Sequence, residues 1–317
     1  MTKTKNSPST RGANGQINPR QACPCGSGKR YKACHGDPSG TRDVIVSRPF
    51  EGLAAERQLV ALREFVPAAT APLPLAQPGD RDVTLASLLP GAAAAVVRAD
   101  GTALVGMQVL SRSGDLSRDL ARAVNWALGA KPGSVLPVVD TAPGGEQVRL
   151  QDLLRLEVSL DITMYPDFAW WLPKGETPTG EAAAALKKAN DAIMPTEPLS
   201  GTGVEVAYWV DAGEKAHLRW VRSEPEDQLL AALARLSARD ELDLGEGSRF
   251  AGSFRAHGVL VPVWDLDREA HAREWLAPAE SFAQRLTQAL GSLDDTPLSE
   301  AERRALRALH SRQLTLR

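Results

Sequence analysis

Apolar residues recur along this chain in two rhythms, and each rhythm predicts a different kind of element. From Glu51 to Phe65, Leu53, Leu59, Leu62 and Phe65 fall on a roughly 3.6-residue period, which predicts a helix. Residues 66–79 break that rhythm, because prolines at 67, 72, 74 and 78 forbid a regular helix. They read as a semi-rigid connector or an extended strap on the body. Two apolar runs, Ala94–Arg98 and Ala103–Leu110, then flank Ala99-Asp100-Gly101-Thr102, a hairpin signature whose glycine tolerates positive φ. Helical spacing returns in Asp115–Leu128, with Leu116, Leu120, Val124 and Leu128 on one face and Asp115 or Ser117 placed to cap it.

The same order of signals comes round again. Val204–Val210 and Ala216–Val221 form a second strand pair, and Pro225–Ser237 a second helix carrying Leu229, Leu230, Leu233 and Leu236. At an offset of 104 residues, Asp161-Ile162-Thr163 overlies Asp265-Leu266-Asp267, and Trp171-Leu172 overlies Trp275-Leu276. Helical stretches Glu181–Ile193 and Ala279–Leu290 follow, and T-E-P-L-S at 196–200 corresponds to D-T-P-L-S at 295–299. One duplication of a β-β-α-β-α unit accounts for these correspondences. A last helix is predicted over Ser299–Leu309, opened by the capping-box spacing of Ser299 and Glu302. Hairpins that precede helices point to the α+β class with mainly antiparallel pairing.

The domain plan that follows is a disordered basic tail at 1–20, a small knuckle at 21–36, and a linker, helix and Pro-rich connector at 37–82. Two α+β units at 83–200 and 201–317 complete it. With 317 residues and 43% apolar content the chain can bury a substantial core. No apolar run reaches the roughly 18 residues of a membrane span, and the polar first residues, M-T-K-T-K-N-S-P-S-T, lack a secretory signal's apolar stretch. A cytoplasmic protein is expected.

All three cysteines fall in one short run, C-P-C-G-S-G-K-R-Y-K-A-C-H-G, at residues 23–36. Cys23, Cys25, Cys34 and His35 offer three thiolates and an imidazole, a complete tetrahedral set for one structural zinc ion. An odd, tightly clustered number of cysteines argues against a disulfide framework. The G-S-G-K segment is not a phosphate loop, since Cys23 stands at the first glycine and Arg30 at the hydroxyl residue. Lys29, Arg30 and Lys32 lie between the donors, where they offset the negative charge of a Cys₃His centre and form a candidate partner-binding surface. Tyr31 is the loop's one aromatic and its expected miniature core.

The pattern C-x-C-x₈-C-H, with Ser27, Gly28 and Tyr31 in between, resembles the SEC-C motif, the zinc knuckle at the C-terminus of the protein-export ATPase SecA and in many other bacterial proteins. The resemblance implies zinc bound by Cys23, Cys25, Cys34 and His35. In SecA the knuckle contacts a chaperone and the ribosome, so a ribosomal, nucleic-acid or protein-export partner is implied here, although no SecA motor follows. The chain as a whole is similar to an uncharacterised family of high-G+C bacteria with this knuckle at the N-terminus.

Charge adds to that expectation. Residues 1–48 hold nine Lys or Arg against two Asp, a net +7, which leaves −9 on the remainder. A basic arm on an acidic body suits an anionic partner; it equally suits a solvated tether for the knuckle. In the body, Asp161, Asp265 and Asp267, with Glu269 and His271 nearby, are the candidates for an acid, base or metal site, which makes a hydrolase or transferase the alternative to a non-enzymatic adaptor. A charged residue repeated at a strand end also serves as a turn or helix cap. No nucleophile elbow, dinucleotide fingerprint or H-E-x-x-H occurs. Of seven tryptophans, Trp171 and Trp275 are expected in the core, and Trp170 at an exposed contact.

Overall fold

The computed structural model describes residues 45–109, 113–139, 147–172 and 175–311, together with Arg30. The chain divides at Val44/Ile45, and the body from Ile45 onward is one compact unit. Its class is α+β, as the hydrophobic pattern predicts. Among the described residues no helix is long and apolar enough to cross a membrane.

Helix α1 (Glu56–Glu64) precedes a six-stranded sheet made of β1 (Ala69–Pro72), β2 (Val83–Ala86), β3 (Ala95–Val97), β4 (Ala103–Gly106), β5 (Val135–Leu136) and β6 (Thr163–Met164). The strand order is β5-β3-β4-β2-β1-β6, and only β2 and β4 run parallel. Helix α2 (Leu116–Gly129) lies between β4 and β5, and α3 (Leu150–Leu153) follows β5. The side chain of Asp115 caps α2 by accepting the Ser117 N–H at 3.1 Å. Leu116, Leu120 and Val124 are buried as their spacing requires, and Leu128 packs at the edge of the same core.

The hairpin over 98–102 closes as expected: Arg98 N–H donates to the Thr102 carbonyl at 2.9 Å, and Gly101 takes a φ of 90°. The Pro-rich segment holds a surprise, because β1 pairs on both sides, with β2 and β6. Ser87 N to Ala69 O and Leu73 N to Val83 O are the hydrogen-bonded positions, so Pro72, opposite Thr84, turns its nitrogen away from β2. It faces the side where β6 has already ended, and no ladder bond is lost. Asp161, read as following a strand end, comes after a coil in which Leu160 bonds to a side chain. Gln58 donates through Nε2 to the Leu160 carbonyl (2.8 Å) and accepts the Leu160 N–H through Oε1 (2.7 Å).

Helix α4 (Gly180–Asp191) leads to a five-stranded antiparallel sheet of β7 (Thr196–Gly201), β8 (Val204–Asp211), β9 (Ala216–Trp220), β10 (Ser248–Ala256) and β11 (Val259–Leu266), ordered β10-β11-β9-β8-β7. Helices α5 (Glu226–Ser237), α6 (Leu276–Gly291) and α7 (Glu300–Ser311) complete the body. Strand β11 shows why this sheet reads as a continuous apolar run. Val259, Val261 and Val263 belong to the core shared with α1 and α2, and Leu260, Trp264 and Leu266 belong to the core under α5 and α6. Both faces are covered. A hairpin followed by a helix thus occurs in each half, as β3-β4-α2 and β8-β9-α5.

Candidate functional site

The four expected zinc donors, Cys23, Cys25, Cys34 and His35, and the flanking Lys29 and Lys32 lie outside the described residues; Arg30 is exposed. By donor chemistry the set suits zinc: soft thiolate sulfur and borderline imidazole nitrogen, four in number. Among the described residues no group of three or more His, Cys, Asp or Glu is placed to hold a metal ion.

The three candidate carboxylates occupy different settings. Asp161 is exposed in the coil before β6. Asp265 lies within β11 and accepts Lys215 Nζ at 2.7 Å and Arg249 Nη2 at 3.1 Å, with His217 Nδ1 at 3.2 Å. Burial opposes the Asp265 charge, but Lys215 and Arg249 outweigh it and hold the carboxyl below its ordinary value. Burial likewise pushes His217 down, against the pull of Asp265. Asp267 is exposed and accepts the Glu269 N–H at 3.0 Å, a turn-forming role. His271 caps the short turn before α6 and sits 3.4 Å from Glu197.

Trp275 is buried, 4% exposed, as expected for a core residue. Trp171 is half-buried and donates its indole N–H to the Leu88 carbonyl at 3.0 Å. Trp170, expected at an exposed contact, is also half-buried. It packs on Ala86, Leu89, Ala93 and Leu104 and on the rings of Tyr165 and Phe168.

Phe168 connects this aromatic group to a spacious cleft of the body. A cavity of about 500 Å³ opens between the C-terminal ends of α1 and α4, walled by Phe65, Leu88, Phe168, Ile193 and Met194. Its polar wall is Arg63, Glu64, Ser87 and Gln108. Arg63 is fixed by its Nη1, which donates to the carbonyls of Met107 and Val109. Gln108 Nε2 donates back to the Arg63 carbonyl at 2.6 Å. Glu64 is turned toward the β10–β11 hairpin, where His257 Nε2 lies 2.8 Å from its Oε1. Burial pushes the Arg63 guanidinium down, with Glu64 only partly offsetting it.

A second cation stands behind the same wall. Arg219 pairs across the sheet with Tyr208, is 8% exposed, and holds its guanidinium carbon 5.7 Å from the centre of the Phe65 ring. Phe65 in turn meets the Tyr208 ring edge-on at 5.6 Å. Among the described residues no carboxylate pairs with Arg63 or Arg219. Burial lowers the Arg219 pKa, and it raises that of Tyr208 to about 12. No sequence signal marked this cleft, since its cations are isolated in the sequence and converge only through the meeting of α1, α4 and β9.

Residues 20–37 match the SEC-C motif, and residues 49–317 match a family of unknown function, DUF5926. No curated protein and no solved structure matches the chain.

Proposed function

The chain belongs to the family of unknown function DUF5926 with a SEC-C motif ahead of it, and on that footing we propose that it is a non-enzymatic zinc-binding adaptor. Cys23, Cys25, Cys34 and His35 hold one structural zinc ion. Four protein ligands leave no open position for water, so the metal shapes the knuckle and does no chemistry. Lys29, Arg30 and Lys32 then present positive charge to an anionic partner, of which the ribosome, a nucleic acid or an acidic export factor are the classes that fit.

The observation that carries this reading is the coincidence of two features in one segment. All four donors fall inside the matched motif, and the net +7 of residues 1–48 surrounds them while the rest of the chain carries −9. Attraction of this kind is screened by salt, so partner binding must weaken as ionic strength rises. The test is zinc content and co-sedimentation with purified ribosomes at graded salt, for the natural protein and a Cys23→Ser/Cys34→Ser variant. Stoichiometric zinc and salt-sensitive binding, both lost in the variant, support the adaptor. Absence of zinc, or equal binding by both proteins, overturns it.

A further inference from the structure

We propose that the cleft between α1 and α4 binds a monocarboxylic acid with an apolar chain, its carboxylate on Arg63 and its chain against Phe65, Phe168, Ile193 and Met194. The reading concerns the body and is independent of the knuckle. A volume of about 500 Å³ lies within the range of small-molecule sites, which are mostly apolar with a few fixed polar groups. The lining has that composition. Size alone does not choose the ligand; the charges around Phe65 do.

Arg63 has no carboxylate partner among the described residues, yet its guanidinium is locked, because Nη1 is committed to two backbone carbonyls. Nε and Nη2 form no hydrogen bond to a described residue, and a guanidinium edge matches a carboxylate in bidentate fashion. Glu64, the one acid among the described lining residues, is engaged by His257 at 2.8 Å. Arg219 adds a second cation against Phe65 with no acidic partner among the described residues, although it is only 8% exposed. Burying an unpaired charge is costly, and the buried Arg219 with the half-buried Arg63 beside one apolar wall favours an anion there. The apolar lining disfavours a phosphate dianion, which keeps more charge and needs more donors than one arginine edge supplies. A single negative charge on an apolar body fits both demands.

The probes are decanoate and decanol, titrated into the full-length protein by calorimetry. Decanoate is expected to bind at one site per chain and about ten- to a hundred-fold more tightly than decanol, the range for a hydrogen-bonded charge pair. Arg63→Gln should remove that advantage and leave decanol affinity unchanged. Because Arg63 also braces two carbonyls, a second variant guards against misfolding. Ala192→Phe fills the cleft from an exposed position on its rim and should abolish both titrations while circular dichroism stays native. Equal affinity for decanoate and decanol in the natural protein overturns the carboxylate contact. No saturable binding of either, or unchanged binding by the Ala192→Phe protein, overturns the site.

Discussion

Arg235 on α5 is 1% exposed, and the body spends most of this cation's hydrogen-bonding capacity on one junction. Its Nε donates to Glu302 Oε1 at 2.9 Å, Nη1 to Ser292 Oγ at 2.5 Å and Nη2 to the Thr296 carbonyl at 2.7 Å, so one side chain joins α5 to α7 and to the turn before it. Glu302 also closes the capping box of α7 by accepting the Ser299 N–H at 2.7 Å. Replacing Glu302 by Ala strands a buried guanidinium, which typically costs about 3–5 kcal/mol, and here Ser292 and Thr296 keep it toward the lower end. Losing the cap adds about 1 kcal/mol, for a total of about 4 kcal/mol. Arg235→Met should cost less, because Glu302 keeps its Ser299 contact, and the double variant should be no worse than Glu302→Ala alone. Urea unfolding followed by tryptophan fluorescence measures all three. The pH dependence has a fixed sign. Burial pushes the Glu302 carboxyl up, but Ser299 and Arg235 together hold it below the ordinary glutamate value. Its contribution is therefore complete above about pH 4.3, the unfolded value, and is lost as pH falls through the lower folded value. A loss under about 1 kcal/mol in Glu302→Ala at pH 7, or additive single variants, would show that Glu302 and Arg235 do not act as a buried pair.

Other consequences of the geometry are as direct. Gly258 follows His257 in a two-residue hairpin with φ of 47° and 82°, and a Cβ on it would lie 2.6 Å from the Arg48 Cβ. Gly258→Ala should cost about 2–4 kcal/mol by chemical denaturation, against about 1 kcal/mol for Gly101→Ala, which shares the positive φ but has open space around it; equal losses would contradict the close approach. Tyr208, raised to about 12 by burial, should ionise above the ordinary tyrosine range in a spectrophotometric titration, and Tyr208→Phe should delete that late step; a titration unchanged by the substitution would contradict the burial. Cys34→Ser should abolish zinc binding while the main thermal transition of the body stays within about 2 °C, since Ile45 onward forms its own compact unit; a collapse of that transition would show that the knuckle supports the body's fold.

Elements whose signals are local could be read from the sequence. The Gly101 turn, the Asp115 cap and the Ser299–Glu302 box all depend on residues within a few positions of one another, and each is present as expected. What escaped depends on distant partners. Strand β1 hides among prolines because Pro72 is tolerated only through the early end of β6, ninety residues along the chain. The β10–β11 hairpin turns at His257-Gly258, a pair that carries one turn residue rather than two. The run before Asp161 holds no strand, and its Leu160 bonds to Gln58, a side chain that no periodicity reveals. The SEC-C motif was legible because its residues fall in one contiguous run. The cleft was not, since Arg63, Phe65 and Arg219 acquire their meaning only when β9 is laid against the end of α1.

Zinc per chain together with ribosome co-sedimentation, measured on one preparation of the natural protein and of the Cys23→Ser/Cys34→Ser variant, tests the knuckle as a recognition module. The adaptor account predicts one zinc ion per natural chain, binding that falls steeply between 50 and 200 mM salt as electrostatic contacts do, and loss of both in the variant. A metal-free natural protein, or a zinc-free variant that sediments with ribosomes as the natural protein does, contradicts it.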